Sequence, residues 1–164
     1  MNILGRSFER ASAISNWTTH TAVVPRARGV YAICCASGLQ PTFLPKSPGG
    51  WWKDGRDPTM DTARLARRWN DDSRVLYLGA GENLRDRIDL LVAFGCGLPA
   101  RHWGGRALWQ LEGIAGAEIY WLLTPSDCER CVENELLAAF RSIYGRLPYA
   151  NIAGFRKHGK CWRA

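Results

Sequence analysis

The sequence predicts an α+β domain, a small sheet of three strands with helices between them. Three observations predict it. Two runs rich in strand-forming residues carry a tyrosine beside a glycine, 29–35 (GVYAICC) and 74–79 (RVLYLG), and a third run, 117–123 (AEIYWLL), stops before Pro125. Apolar residues recur at helical spacing after the second and third runs. The length of 164 residues suits one domain able to bury a core.

Taken in order, residues 1–28 are an N-terminal extension of mixed composition, with Phe8, Ile14 and Trp17 as anchors and Pro25 closing it. The 29–35 strand follows, buried by its composition, and its adjacent Cys34 and Cys35 point to opposite faces. From 36 to 59, Gly38, Pro41, Pro45, Pro48, Gly49, Gly50, Gly55 and Pro58 exclude a long element. Thr59 or Asp61 can cap a short helix to about Trp69, with Leu65, Ala66 and Trp69 inward and Arg64, Arg67 and Arg68 outward. The whole of 36–73 thus reads as a long insertion between the first two strands, and loops of that length are often functional.

The 74–79 strand leads into a helix from about Asn83 to Phe94, with Leu84, Ile88, Leu91 and Val92 on one side. Gly95-Cys96-Gly97 ends it, 102–106 (HWGGR) is a tight polar turn, and 107–111 is compatible with strand or helix. After the third strand, Ser126 or Asp127 caps a long helix to about Tyr144 with an apolar stripe of Val132, Leu136, Leu137, Phe140 and Ile143. Gly145 stops that helix, and residues 154–164 form a basic, glycine-broken tail.

A net charge of +7 and a pI near 9.4 favour a polyanionic partner, of which nucleic acid is the commonest. Cys128 and Cys131 have C-x-x-C spacing without a second pair to complete a zinc site, so reduced thiols are expected. No apolar run reaches membrane-spanning length and no secretory leader is recognisable, so the expectation is a soluble, cytoplasmic protein.

Phosphodiester cleavage requires a base for the attacking water, positive charge for the transition state and help for the leaving oxygen. Tyr31 and Tyr77 in their glycine-flanked strands, Arg87 on the following helix, Glu133 or Glu135 on the acidic helix and Asn151 after Pro148 offer those groups in this order. In that order they resemble the GIY-YIG nuclease superfamily. The likeness spans 29–35 and 74–152, and it implies an antiparallel three-stranded sheet flanked by helices. It also implies a DNA endonuclease that uses one divalent metal, Mg²⁺ or Mn²⁺, held by one glutamate.

Within that resemblance Tyr31 and Tyr77 would handle the nucleophilic water, their phenols side by side on one sheet face, with either able to take the proton. Arg87, ten positions after Tyr77, would grip the scissile phosphate. Arg85 lies about 200° around the same helix and reads as solvated. Glu133 fits the metal position better than Glu135, because Leu136, Leu137 and Phe140 follow it at the required apolar phase. Asn151 would fix local geometry through its amide.

Two positions depart from the pattern. Leu91 stands where some members have a histidine, and Ala80 where others have a lysine. His102 can supply the missing proton relay, and His102, Arg106, Arg64 and Arg68 are candidates for contacting double-stranded DNA. Trp51 and Trp52, among Lys46, Lys53 and Arg56, suit either base stacking or packing under the loop. The departures keep two rivals in view: a nucleic-acid-binding module of the same fold without activity, and a protein-interaction domain.

Overall fold

The main sheet has four strands rather than three. In the computed structural model, which describes residues 1–50 and 55–155, it is antiparallel and mixed with helices in the α+β manner. Its strands are β3 (Glu9–Ala13), β4 (Gly29–Cys34), β5 (Val75–Gly81) and β6 (Glu118–Leu123), in the order β3-β6-β4-β5. The extra strand comes from the N-terminal extension. Its sequence, ERASA, is polar on its solvent side, where Arg10 pairs with Glu118 of β6. The short strands β1 (Asn2–Ile3) and β2 (Arg6–Ser7) form a separate two-stranded sheet.

Among the described residues, four α-helices surround these strands: α1 (Trp17–His20), α2 (Thr62–Arg68), α3 (Leu84–Gly95) and α4 (Glu129–Tyr144). On one face of the main sheet, Tyr31, Ile33, Tyr77, Ile119 and Trp121 pack with Leu84, Ile88, Leu91 and Val92 of α3 and with Leu65 of α2. On the other, Val30, Ala32, Leu78 and Ala80 meet Val132, Leu136, Leu137 and Phe140 of α4, together with Ile3 and Phe8. Cys34 and Cys35 fall in these two opposite layers, as strand alternation requires. Phe8, Ile14 and Trp17 are buried anchors.

The helix ends follow local chemistry. Asp61 caps α2 by accepting from the Arg64 amide, and Asn83 caps α3 by accepting from the Asp86 amide. Helix α4 starts later than expected: its N-cap is Cys128, with no side-chain cap, rather than Ser126 or Asp127. It ends on Gly145 at φ 71°, a left-handed position that suits glycine. Two stripe residues face the other way from their expected side. Ile143 is 64% exposed, the last turn of α4 packing on the core through Tyr144 instead, and Ala66 of α2 is exposed.

The insertion is anchored by one buried amide. Gln110, at the end of a 3₁₀ helix spanning Trp103–Gln110, accepts from the Met60 amide at 2.6 Å and donates to the carbonyls of Met60 and Leu44. Residues 107–110 are therefore 3₁₀-helical, and Leu111 pairs with Phe43 in an isolated bridge. Trp51, Trp52, Lys53 and the tail beyond 155 lie outside the described residues. Cys34, Cys35 and Cys96 are free thiols, whereas Cys131 is disulfide-bonded, against the expectation of reduced thiols throughout. Among the described residues no helix is long and apolar enough to cross a membrane.

Candidate functional site

The two tyrosines meet through a diagonal in the strand register. Tyr31 lies opposite Gly79, and Tyr77 lies opposite Ile33, so both side chains leave the same face two residues apart. Their ring centroids are 5.9 Å apart. Gly79 explains the tyrosine-x-glycine spacing: a Cβ there would stand 2.6 Å from the Tyr31 hydroxyl and ring, so only glycine leaves room for the phenol.

Tyr31 is 0% exposed, and its hydroxyl is hydrogen-bonded to Nε2 of His102 at 2.7 Å. Burial drives the Tyr31 phenol well above its ordinary pKa, and the neighbouring Tyr77 pushes it in the same direction. The nearby Arg87 pulls it partly back, and Glu133 and a hydrogen bond with Tyr77 raise it further. Tyr31 is therefore a neutral hydrogen-bonding group that joins Tyr77 to His102.

His102 sits differently from the solvent-facing DNA contact considered from the sequence. It is fully buried, immediately ahead of the 3₁₀ helix, with its ring centroid 5.7 Å from that of Tyr77. A buried imidazole cannot reach a duplex, so its place is beside the phenols. Gly105 makes room for it, since a Cβ there would be 2.9 Å from the imidazole Cε1 and 3.2 Å from Leu91. An imidazole thus packs beside Leu91 but comes from a different element than α3.

Arg87 is half-buried on α3 and donates from Nη1 to the carbonyl of Arg101, the residue before His102. Gly81 at the end of β5 admits it: a Cβ at that position would lie 2.9 Å from the Arg87 Cβ. Arg85 is not a solvated side chain. It donates to the carbonyls of Val24 and Ala22, tying the N-terminal extension to α3.

Glu133 and Glu135 point to different surroundings. Glu133 is 8% exposed and lines a small cleft with Tyr77, Gly104, Asn151 and residues 152–154. Glu135 is exposed and pairs with Arg6 at 2.8 Å. Asn151 clamps strand β5 by accepting from the Leu78 amide at 2.9 Å and donating to the Leu78 carbonyl at 2.8 Å. The Ala150 amide adds a bond to the Leu76 carbonyl. The chain at 150–151 thus occupies the edge of β5, with Tyr77 between the two bonded residues.

Of the proposed DNA contacts, Arg64 is exposed at the surface. Arg68 turns back to donate to the carbonyls of Tyr149 and Asn151, and Arg106 lies 4.6 Å over the Trp103 ring and donates to the Trp103 carbonyl. The sequence missed two features. Gln110 organises the insertion, and Glu129 is buried one turn before Glu133, 3.8 Å from Arg28. Helical spacing from Glu133 was the available signal for Glu129.

As for a metal, no group of three or more His, Cys, Asp or Glu side chains gathers among the described residues. A multi-ligand cage therefore has no donors there. A Mg²⁺-type ion held by one carboxylate and otherwise by water is compatible with Glu133 in its cleft. Comparison with protein-family models, with characterised proteins and with solved structures returns no match.

Proposed function

We propose that this chain is a metal-dependent DNA endonuclease of the GIY-YIG type, with Tyr77, Tyr31, His102, Arg87, Glu133 and Asn151 forming its site. One juxtaposition supports the reading most: Tyr77 lines the cleft that holds Glu133 and is joined, through Tyr31, to a buried imidazole. Both tyrosines are buried, and position at the cleft divides their work. Tyr31 is sealed from solvent, so Tyr77, at the cleft, is the phenol that meets the attacking water.

A neutral phenol is a poor base unless its own proton can leave. Once the Tyr31 hydroxyl turns from Tyr77 toward Nε2 of His102, the row gives that proton a route. Tyr77 passes its proton to Tyr31 as Tyr31 passes its own to Nε2 of His102. Tyr77 then takes the proton of the water whose oxygen attacks phosphorus, the P–O bond to the leaving oxygen breaks, and that oxygen takes a proton from bulk water while His102 returns its extra proton to solvent. Arg87 supplies positive charge near the transition state after exchanging its bond to the Arg101 carbonyl for the phosphate. A Mg²⁺ or Mn²⁺ ion on Glu133 would supply Lewis-acid stabilisation of the phosphate charge. Asn151 keeps Tyr77 in position by holding the backbone of Leu78 beside it.

Nicking of supercoiled plasmid in Mg²⁺ or Mn²⁺ tests this reading, with wild type beside Glu133→Gln, Tyr77→Phe and Glu135→Gln. Cleavage is expected from wild type and Glu135→Gln alone. Equal cleavage by all four proteins would sink the proposed site. No cleavage by wild type, with tight salt-sensitive DNA binding, would favour a binding module on the same fold.

A further inference from the structure

The arginines of this molecule differ in their partners. Arg6, Arg10, Arg26 and Arg28 each face a carboxylate within 4.0 Å. Arg64, Arg67, Arg68, Arg106 and Arg146 form no ion pair among the described residues. They gather where α2 packs against the chain after α4. Arg67, Arg68 and Arg146 line one open cleft with Gly145 and Leu147, and Arg146 donates to the carbonyls of Arg67 and Trp69.

Burial lowers the pKa of the Arg68 and Arg106 guanidinium groups, and the charge of Arg64 lowers both further. Arg68 adds its own repulsion at Arg106, which brings the three cations into one field. Carbonyl partners hold these side chains in place without cancelling their charge. Accumulating like charge is costly unless a polyanion neutralises it.

This face also adjoins the site described above. Arg68 donates to the carbonyl of Asn151, a residue lining the Tyr77–Glu133 cleft, and Gly104 of that cleft lies two residues before Arg106.

We infer that the inserted helix α2 and the turn after α4 form a docking face for the nucleic-acid backbone, with Arg64, Arg67 and Arg146 meeting phosphates that flank the cleft. The inference rests on the nuclease reading for the position of the cleft. The contact itself is sequence-independent, because guanidinium groups that reach phosphates read no bases.

Equilibrium binding of a labelled duplex DNA of random sequence, followed by fluorescence anisotropy across a salt series, tests the face. Every protein carries Glu133→Gln so that the probe stays intact. Arg64→Gln/Arg67→Gln is the informative pair, because neither side chain makes a hydrogen bond or ion pair among the described residues. Each lost phosphate contact lowers the slope of log Kd against log salt by about 0.9, so the pair is expected to lower it by about 2. Arg6→Gln/Arg10→Gln removes the same charge from two ion-paired arginines and is expected to leave the slope unchanged.

An unchanged slope for the Arg64/Arg67 pair overturns the docking face, as does an equal drop for both pairs. Failure of the nuclease reading shows separately, as a wild type that binds and never nicks.

Discussion

The Tyr31 hydroxyl stands 2.7 Å from Nε2 of His102, and both residues are sealed from solvent. Replacing His102 with alanine leaves a buried phenol short of a partner and opens a cavity beside it. A stability loss of about 2–4 kcal/mol is expected in urea denaturation. Tyr31→Phe in the same protein should recover part of that loss, because it removes the polar group left unpaired. An effect no larger than that of a surface substitution would contradict the buried pair.

The contact between Gly79 and Tyr31 yields a second test. The added methyl of Gly79→Ala would fall 2.6 Å from the phenol, and a β-strand interior cannot yield that much. The substitution should cost about 1–3 kcal/mol and move the Tyr31 ring off His102. The expected signature is a lower midpoint of thermal unfolding together with a large drop in nicking. Tyr31→Phe/Gly79→Ala would remain strained, whereas Tyr31→Ala/Gly79→Ala would relieve the clash.

Asn151 makes two bonds to one residue, so its variants should grade. Asn151→Ala strands both the amide and the carbonyl of Leu78 and is expected to cost about 2–4 kcal/mol. Asn151→Asp keeps the acceptor toward the amide but sets a carboxylate against the carbonyl, so it should be no better than alanine. Hydrogen exchange at the Leu78 amide reads the clamp directly, and unchanged protection in Asn151→Ala would refute it.

Alkaline pH should destabilise the fold. Burial raises Cys34 from 9.0 to about 12, and it raises Tyr31 and Tyr149 above 10.0. Below those unperturbed values both folded and unfolded chains keep their protons, and stability does not depend on these groups. Above pH 9 the unfolded chain releases the Cys34 proton while the folded chain holds it, so stability falls until about pH 12. The tyrosines join from pH 10 upward. Each group contributes a slope of up to about 1.4 kcal/mol per pH unit. Urea midpoints between pH 8 and about 10 measure the first part of the decline, and Cys34→Ala should flatten it.

Much of this architecture was legible because periodicity reports burial. The tyrosine-bearing strands and α3 and α4 stand close to where alternation and helical spacing put them, and Tyr31 and Tyr77 do share a sheet face. Strand β3 escaped notice because a peripheral strand with Glu9 and Arg10 outward carries little apolar signal. His102 is 71 residues from Tyr31, and nothing local distinguishes a buried imidazole in a glycine-rich turn from a solvated one. Arg85 and Arg68 looked like surface charge because their partners are backbone carbonyls, which leave no mark on composition. Ile143 satisfied the helical spacing, but its neighbour Tyr144 is the last-turn residue that packs on the core.

Strand β5 ends the row on one side, where a bare edge would offer amides and carbonyls to any extended chain in reach. Ala150 and the Asn151 amide occupy those groups at Leu76 and Leu78. A foreign strand therefore cannot extend the sheet beside Tyr77 without first displacing them. If the sheet recruits another chain by strand addition, the opposite rim at β3 is the side left to do so, far along the strand order from the phenols.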